Sequence, residues 1–267
     1  MPTEQQTGQV ISTDGTPIAY ERRGEGQPLV LVHGTGADHT RWEPIIPAFA
    51  DRFTVYAVDR RGRGASGDAP AYAIEREFDD IAAVVGSIGG EVDLLGHSYG
   101  ALCALEATLR TDRLRKLILY EPPIPTGIQI FRPGSVDRLD ALLAAGNREA
   151  VLTTFWGDIA GLPPDQIERI RALPDWQVLV AAAHTIPREM RCSEEYRFES
   201  ARFSRTHTPS LLLLGGDSPP FHQAGTAAVH AALPESRITV MPGQQHMAMD
   251  TAPDLFLGEV LRFLATD

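Results

Sequence analysis

The stretch Val92-Asp93-Leu94-Leu95-Gly96-His97-Ser98-Tyr99-Gly100-Ala101-Leu102-Cys103-Ala104-Leu105 decides the fold. It opens on a short apolar run and passes through Gly-x-Ser-x-Gly. It then continues to Arg110 with Ala and Leu on nearly all sides. That is the order of a buried strand, a sharp turn and a helix packed on a sheet. So tight a turn puts Ser98 in a strained backbone conformation at its tip. Side chains at positions 96 and 100 would strike the neighbouring strand and helix, so glycine stands at both. The helix that follows directs free N–H groups and the positive end of its dipole at whatever reacts there. Ser98 is therefore a candidate nucleophile. The plainer reading, a Gly-Ser link between strand and helix, does not need both flanking elements.

Working outward, the runs Leu29–Val32, Phe53–Val58, Val92–Leu95, Leu117–Tyr120 and Leu211–Leu214 are apolar at successive positions. Strands of that kind are buried on both faces, as in a parallel sheet covered by helices. Ile74, Phe78, Ile81, Val85 and Ile88 fall on one helical face between two of them. Phe256, Val260, Phe263 and Leu264 give a C-terminal helix its apolar stripe, and Thr251 with Asp254 predicts a capping box at its start. From Pro122 to His207 strand signal is weak, and the stretch carries Phe131, Phe155, Trp156, Trp176, Tyr196, Phe198 and Phe203. The expected division is an α/β core over 1–121 and 208–267, with a helical insertion over 122–207 between core strands.

A serine hydroxyl needs a base within hydrogen-bond reach. Of the eight histidines, His246 alone lies in a loop after the last strand-like run, Arg237–Met241, and before the C-terminal helix. His222 is the weaker rival base, and His97, inside the turn, reads as a packing residue. His33-Gly34-Thr35-Gly36 follows the strand Leu29–Val32, so the Thr35 and Tyr99 N–H groups are the expected oxyanion donors. Two carboxylates lie between Ser98 and His246 at strand ends, Glu121 and Asp217, and chain order does not separate them. The run Gly62-Arg63-Gly64-Ala65-Ser66-Gly67 satisfies G-x-G-x-x-G. Asp68-Ala69-Pro70 follows it instead of a helix, which argues against a dinucleotide site.

Together these residues resemble the α/β-hydrolase superfamily, in its branch with a helical cap. The resemblance rests on His33-Gly34, Asp59-Arg60-Arg61-Gly62-Arg63-Gly64-Ala65-Ser66, the Gly96–Gly100 turn, Tyr120-Glu121-Pro122-Pro123 and His246, and so covers nearly the whole chain. It implies a three-layer α/β fold, with a mostly parallel sheet of about eight strands and an inserted cap. In the family the acid usually closes a G-x-x-D turn after the seventh strand. Counted from Gly215 that slot holds Ser218, with Asp217 one position early. Some members, certain haloalkane dehalogenases among them, carry the acid after strand six, where Glu121 stands, and the reading leans to Glu121. Dehalogenases and epoxide hydrolases of this fold use an aspartate nucleophile. Ser98 in that place argues against an alkyl-enzyme.

The expected function is a carboxylesterase-like serine hydrolase, acting through an acyl-enzyme on a small-to-medium apolar carbonyl compound. Ester, lactone, thioester and carbon–carbon bonds are all compatible. His33, Gly34, Phe131, Phe155 and Trp156 are the expected substrate-binding residues. The rival readings keep the fold: a lyase, cyclase or cofactor-free oxygenation enzyme with His246 as base, or a ligand receptor. A net charge of -11 with no basic run argues against nucleic acid as a partner. Two distant cysteines and no metal-ligand spacing give no expectation of a disulfide framework, a metal or a cofactor. The start MPTEQQTGQV lacks an apolar core and no run is long enough to span a membrane, so a cytoplasmic protein, monomer or homodimer, is expected.

Overall fold

The computed structural model describes residues 5–266. Residues 1–4 and 267 belong to the expected core division, and 1–4 to the leader reading; both lie outside the described residues. Eight strands form one sheet: β1 (Gln6–Ile11), β2 (Pro17–Arg23), β3 (Gln27–Val32), β4 (Phe53–Val58), β5 (Val92–His97), β6 (Leu114–Tyr120), β7 (Ser210–Gly215) and β8 (Ser236–Met241). Their order is β1-β2-β4-β3-β5-β6-β7-β8. The pairs β1–β2 and β2–β4 are antiparallel; β4 to β8 are joined in parallel through β3.

Alternation along the strands feeds two cores. Val30, Val32, Leu94, Leu117, Leu119 and Leu212 enter a cluster with helices α2 (Ile74–Ser87), α3 (Tyr99–Ala107) and α9 (Pro220–Ala232). Leu29, Leu31, Leu95, Ile118, Leu211 and Leu213 enter another, with α1 (Ile46–Ala50), α10 (Ala248–Thr251) and α11 (Pro253–Leu264). Successive side chains point to opposite faces, so strands apolar at every position require helices on both sides. The expected capping box of α11 does not form. Its N-cap is Ala252, and the Thr251 hydroxyl donates to Gln244 Oε1 at 2.6 Å instead, because α10 has drawn it into its own last turn.

Between β6 and β7 the chain forms α4 (Ser135–Ala144), α5 (Arg148–Thr154), α6 (Pro164–Arg171), α7 (Trp176–Ala181) and α8 (Thr185–Glu195). A third apolar cluster, with Leu139, Val151, Phe155, Trp156, Trp176 and Ile186, lies among them. Phe203 packs into the sheet's own core, with Tyr196 and Phe198 against it.

Buried ion pairs tie α8 to the sheet. Glu189, fully buried, pairs with Arg60 at 2.8 Å and with Arg63; Arg60 also forks onto Glu77 at 2.7 and 2.9 Å. Arg61 forks onto Asp80 with two bonds of 2.7 Å. The densest basic cluster of the sequence is thus consumed internally and presents no cationic face. Removing one member of such a network strands the others without water. Glu189→Leu is expected to lower the unfolding free energy by about 3–5 kcal/mol in urea titration. A loss below about 1 kcal/mol would show the network to be dispensable.

A second polar cluster gives a pH signature. His39 Nδ1 meets Asp59 Oδ1 at 2.7 Å. That hydrogen bond, against the cost of burial, pushes the imidazole up to about 9. The folded value is raised, so the stabilisation is complete below the unfolded value near 6.5 and disappears as pH rises through about 9. With the ring a quarter exposed, solvent screening holds the effect to about 1 kcal/mol. Unfolding free energy is expected to fall between pH 6.5 and 9, and His39→Gln to flatten that fall. An unchanged slope in the variant would assign it elsewhere.

Candidate active site

The sheet order reverses around β3: the chain passes from β3 to β4 on one side and enters β5 on the other. Strand ends at such a switch point leave a crevice, and ligands of open α/β sheets bind there. The turns leaving β3 and β5 meet at this place. A Cβ on Gly34 would lie 2.9 Å from Ser98 Cβ.

Ser98 has φ 57 and ψ −125. Its turn fits only because two neighbours lack side chains. A Cβ on Gly96 would lie 2.5 Å from the Gly100 carbonyl oxygen, and one on Gly100 would lie 2.3 Å from that of Val32. Among the described residues just one other non-glycine residue has positive φ, Glu121 at 48°. Such backbone costs about 1–3 kcal/mol and gathers at functional sites.

Glu121, directly after β6, is fully buried and fully engaged. Its Oε1 accepts from the Gly215 N–H at 2.7 Å and the Ser218 hydroxyl at 2.5 Å. Its Oε2 lies 2.6 Å from His246 Nδ1. A carboxylate has only acceptor atoms, so Nδ1 carries the proton and the His246 Nε2 lone pair is left for another partner. The loop that bears His246 is clamped as well. His97 Nε2 donates to the His246 carbonyl at 2.9 Å, and the Tyr120 hydroxyl bonds the Gln245 carbonyl and accepts from the Ala248 N–H at 3.0 Å. His97 and His222 are held uncharged by burial.

Ser98, His246, Gly34, Thr35, Tyr99, Phe131, Phe155 and Trp156 line one cavity of about 260 Å³. Ser98 and His246 are partly exposed to it, and among the described residues no group engages the Ser98 hydroxyl. The Thr35 N–H has no acceptor among the described residues. Tyr99 is the first residue of α3, where helix N–H groups lack intrahelical acceptors. Both residues line the cavity with the serine.

The structure does not bring two of the expected residues to this cavity. Asp217 is exposed and its side chain makes no bond to His246. The β7 turn brings Ser218 to Glu121, which leaves Asp217 facing outward to solvent. His33 is fully buried outside the cavity lining, where its Nε2 accepts from the Arg60 N–H at 3.2 Å. Sequence reasoning also missed Arg41, whose guanidinium forks onto Asp250 at 2.8 and 2.6 Å at the cavity wall. It missed Ser218 as a partner of the carboxylate, although its place in the G-x-x-D slot was the available signal. His222, read as a rival base, lies beside His246 with the rings 4.3 Å apart.

A model of the alpha/beta hydrolase family matches residues 29–259, and the chain belongs to that family. An alpha/beta hydrolase from Sphaerobacter thermophilus has a similar solved structure. Its TM-score is 0.81 at 35% identity, covering 97% of this chain and 100% of that one. The chain is 27% identical over 262 residues to 2-(acetamidomethylene)succinate hydrolase of Mesorhizobium japonicum, covering 92% of this chain and 91% of the relative. It is 26% identical over 272 residues to a non-heme haloperoxidase of Rhodococcus erythropolis, covering 96% and 98%. Among the described residues no helix is long and apolar enough to cross a membrane.

Proposed function

We propose that this chain is a serine hydrolase that transfers an acyl group from a small-to-medium apolar carbonyl compound to water. The observation that carries the reading is the His246–Glu121 contact of 2.6 Å, next to a left-handed Ser98 in the same cavity. Membership of the family and a relative named as a hydrolase support a hydrolase role.

Ser98 Oγ attacks the carbonyl carbon as His246 Nε2 takes its proton. Glu121 holds the tautomer that makes Nε2 basic and stabilises the imidazolium that forms. The negative oxygen of the tetrahedral intermediate accepts from the Thr35 and Tyr99 N–H groups, which are fixed before the reaction begins. His246 returns the proton to the leaving group as the carbon–leaving-group bond breaks. Water, deprotonated by the same imidazole, then cleaves the acyl-enzyme to a carboxylic acid and free Ser98. The helices α4 to α8 serve as a cap, and Phe131, Phe155 and Trp156 supply its apolar wall. Esters, thioesters, lactones and the acetamido compound in the relative's name form the substrate panel.

An alkyl fluorophosphonate tests the reading without knowledge of the substrate. Stoichiometric labelling of the wild type at the Ser98 peptide, absent in Ser98→Ala, is the expected mass spectrum. An unlabelled wild type, or label at another serine, would overturn it.

A further inference from the structure

His246 hangs on a loop, and its bond to Glu121 fixes one point of the ring. A single hydrogen bond leaves an imidazole free to turn about the bond axis, so something else must fix its plane. Two other histidines meet its faces. His97 lies with centroids 4.5 Å apart and planes at 38°, and His222 lies at 4.3 Å and 17°, nearly parallel. Among the described residues His97 and His222 make no ring contact with one another. His97 is already occupied in clamping the His246 backbone. His222, on the first turn of α9, has no role in the mechanism above.

We infer that His222 is a positioning residue: its ring face holds the His246 imidazole in the plane that faces Glu121 and the cavity together. This rests on the proposed serine hydrolase reading. Three observations carry it. The stacking is close and nearly parallel. His222 Nε2 lies 3.7 Å from the same Glu121 Oε2 that meets His246, which orients the His222 ring toward the carboxylate without competing for it. His222 is 6% exposed, and its Nδ1 has no hydrogen-bond partner among the described residues. A residue selected for filling space alone would not bury an unpaired nitrogen there. Burial keeps the ring neutral. Its electron-rich face therefore meets the positive charge that His246 acquires when it takes the serine proton.

The test uses the fluorophosphonate reaction, resolved into its binding constant and its maximal rate, on wild type, His222→Ala and His222→Phe. Loss of the face is expected to slow the maximal rate about ten- to hundredfold in His222→Ala, with the binding constant within about threefold. His222→Phe restores a face and is expected to return within about threefold of the wild-type rate. Melting temperatures identify any variant that has merely unfolded, and the phenylalanine variant keeps the test decisive if alanine collapses. A folded His222→Ala labelled as fast as wild type, or a folded His222→Phe as slow as alanine, overturns the inference. A wild type that does not label at all defeats the serine hydrolase reading instead.

Discussion

Ser98→Ala is expected to lower turnover of p-nitrophenyl butyrate by at least about 10⁴-fold, with little change in melting temperature. The size follows from how the parts cooperate. Without the hydroxyl there is nothing for His246 to activate, and no acyl-enzyme can form. What survives is attack by water assisted by binding and the Thr35 and Tyr99 donors. The fold should tolerate the change, because alanine leaves Gly96 and Gly100 in place and adds no atom to a turn already at φ 57. Steady-state release of p-nitrophenol, with butyric acid quantified by mass spectrometry, would check it. Activity within tenfold of wild type would instead favour a reaction in which His246 acts as base without a covalent serine, as in the non-hydrolytic readings of this fold.

The second large effect separates the two acids. Glu121→Gln keeps the size of the side chain and an oxygen that can still accept from Gly215 and Ser218. It replaces the charged acceptor opposite His246 Nδ1 with an amide. The amide can present N–H groups to the ring and favour the wrong tautomer, and it offers no charge to the imidazolium. A fall in kcat of about 10³- to 10⁴-fold is expected. Asp217→Asn, at an exposed side chain with no contact to His246, is expected to stay within about twofold of wild type. Measured at one pH on one ester, the opposite ranking would move the acid to β7 and remove the assignment of Glu121.

The apolar runs marked β3 to β7 because their burial on both faces erases polar alternation, and each observed strand contains its run. β1 and β2 carry no such mark. β1 is an edge strand whose burial alternates between exposed and intermediate, and Pro17–Arg23 mixes Ile18 and Ala19 with Glu21, Arg22 and Arg23. Their place comes from pairing across the sheet, which no local window contains. The serine turn was legible because its glycines answer a local steric demand. The choice between Glu121 and Asp217 was not, since both follow a strand. It depends on Gly215 and Ser218, which reach Glu121 from 94 and 97 residues away. The stacking of His222 on His246 is likewise a tertiary fact with no sequence period behind it.

The anchoring of α8 bears on how molecules come and go. To swing this helix outward would drag Glu189 away from Arg60 and Arg63 and uncover all three charges at once. The pairs on α4 to α6, such as Arg138–Asp158 and Arg169–Asp165, join residues within the insertion and lie largely in solvent, so they add no tie to the sheet. The buried pairs of α8 are therefore the charged ties that hold this stretch to the core. With α8 held in this way, substrate and product are expected to pass without its displacement.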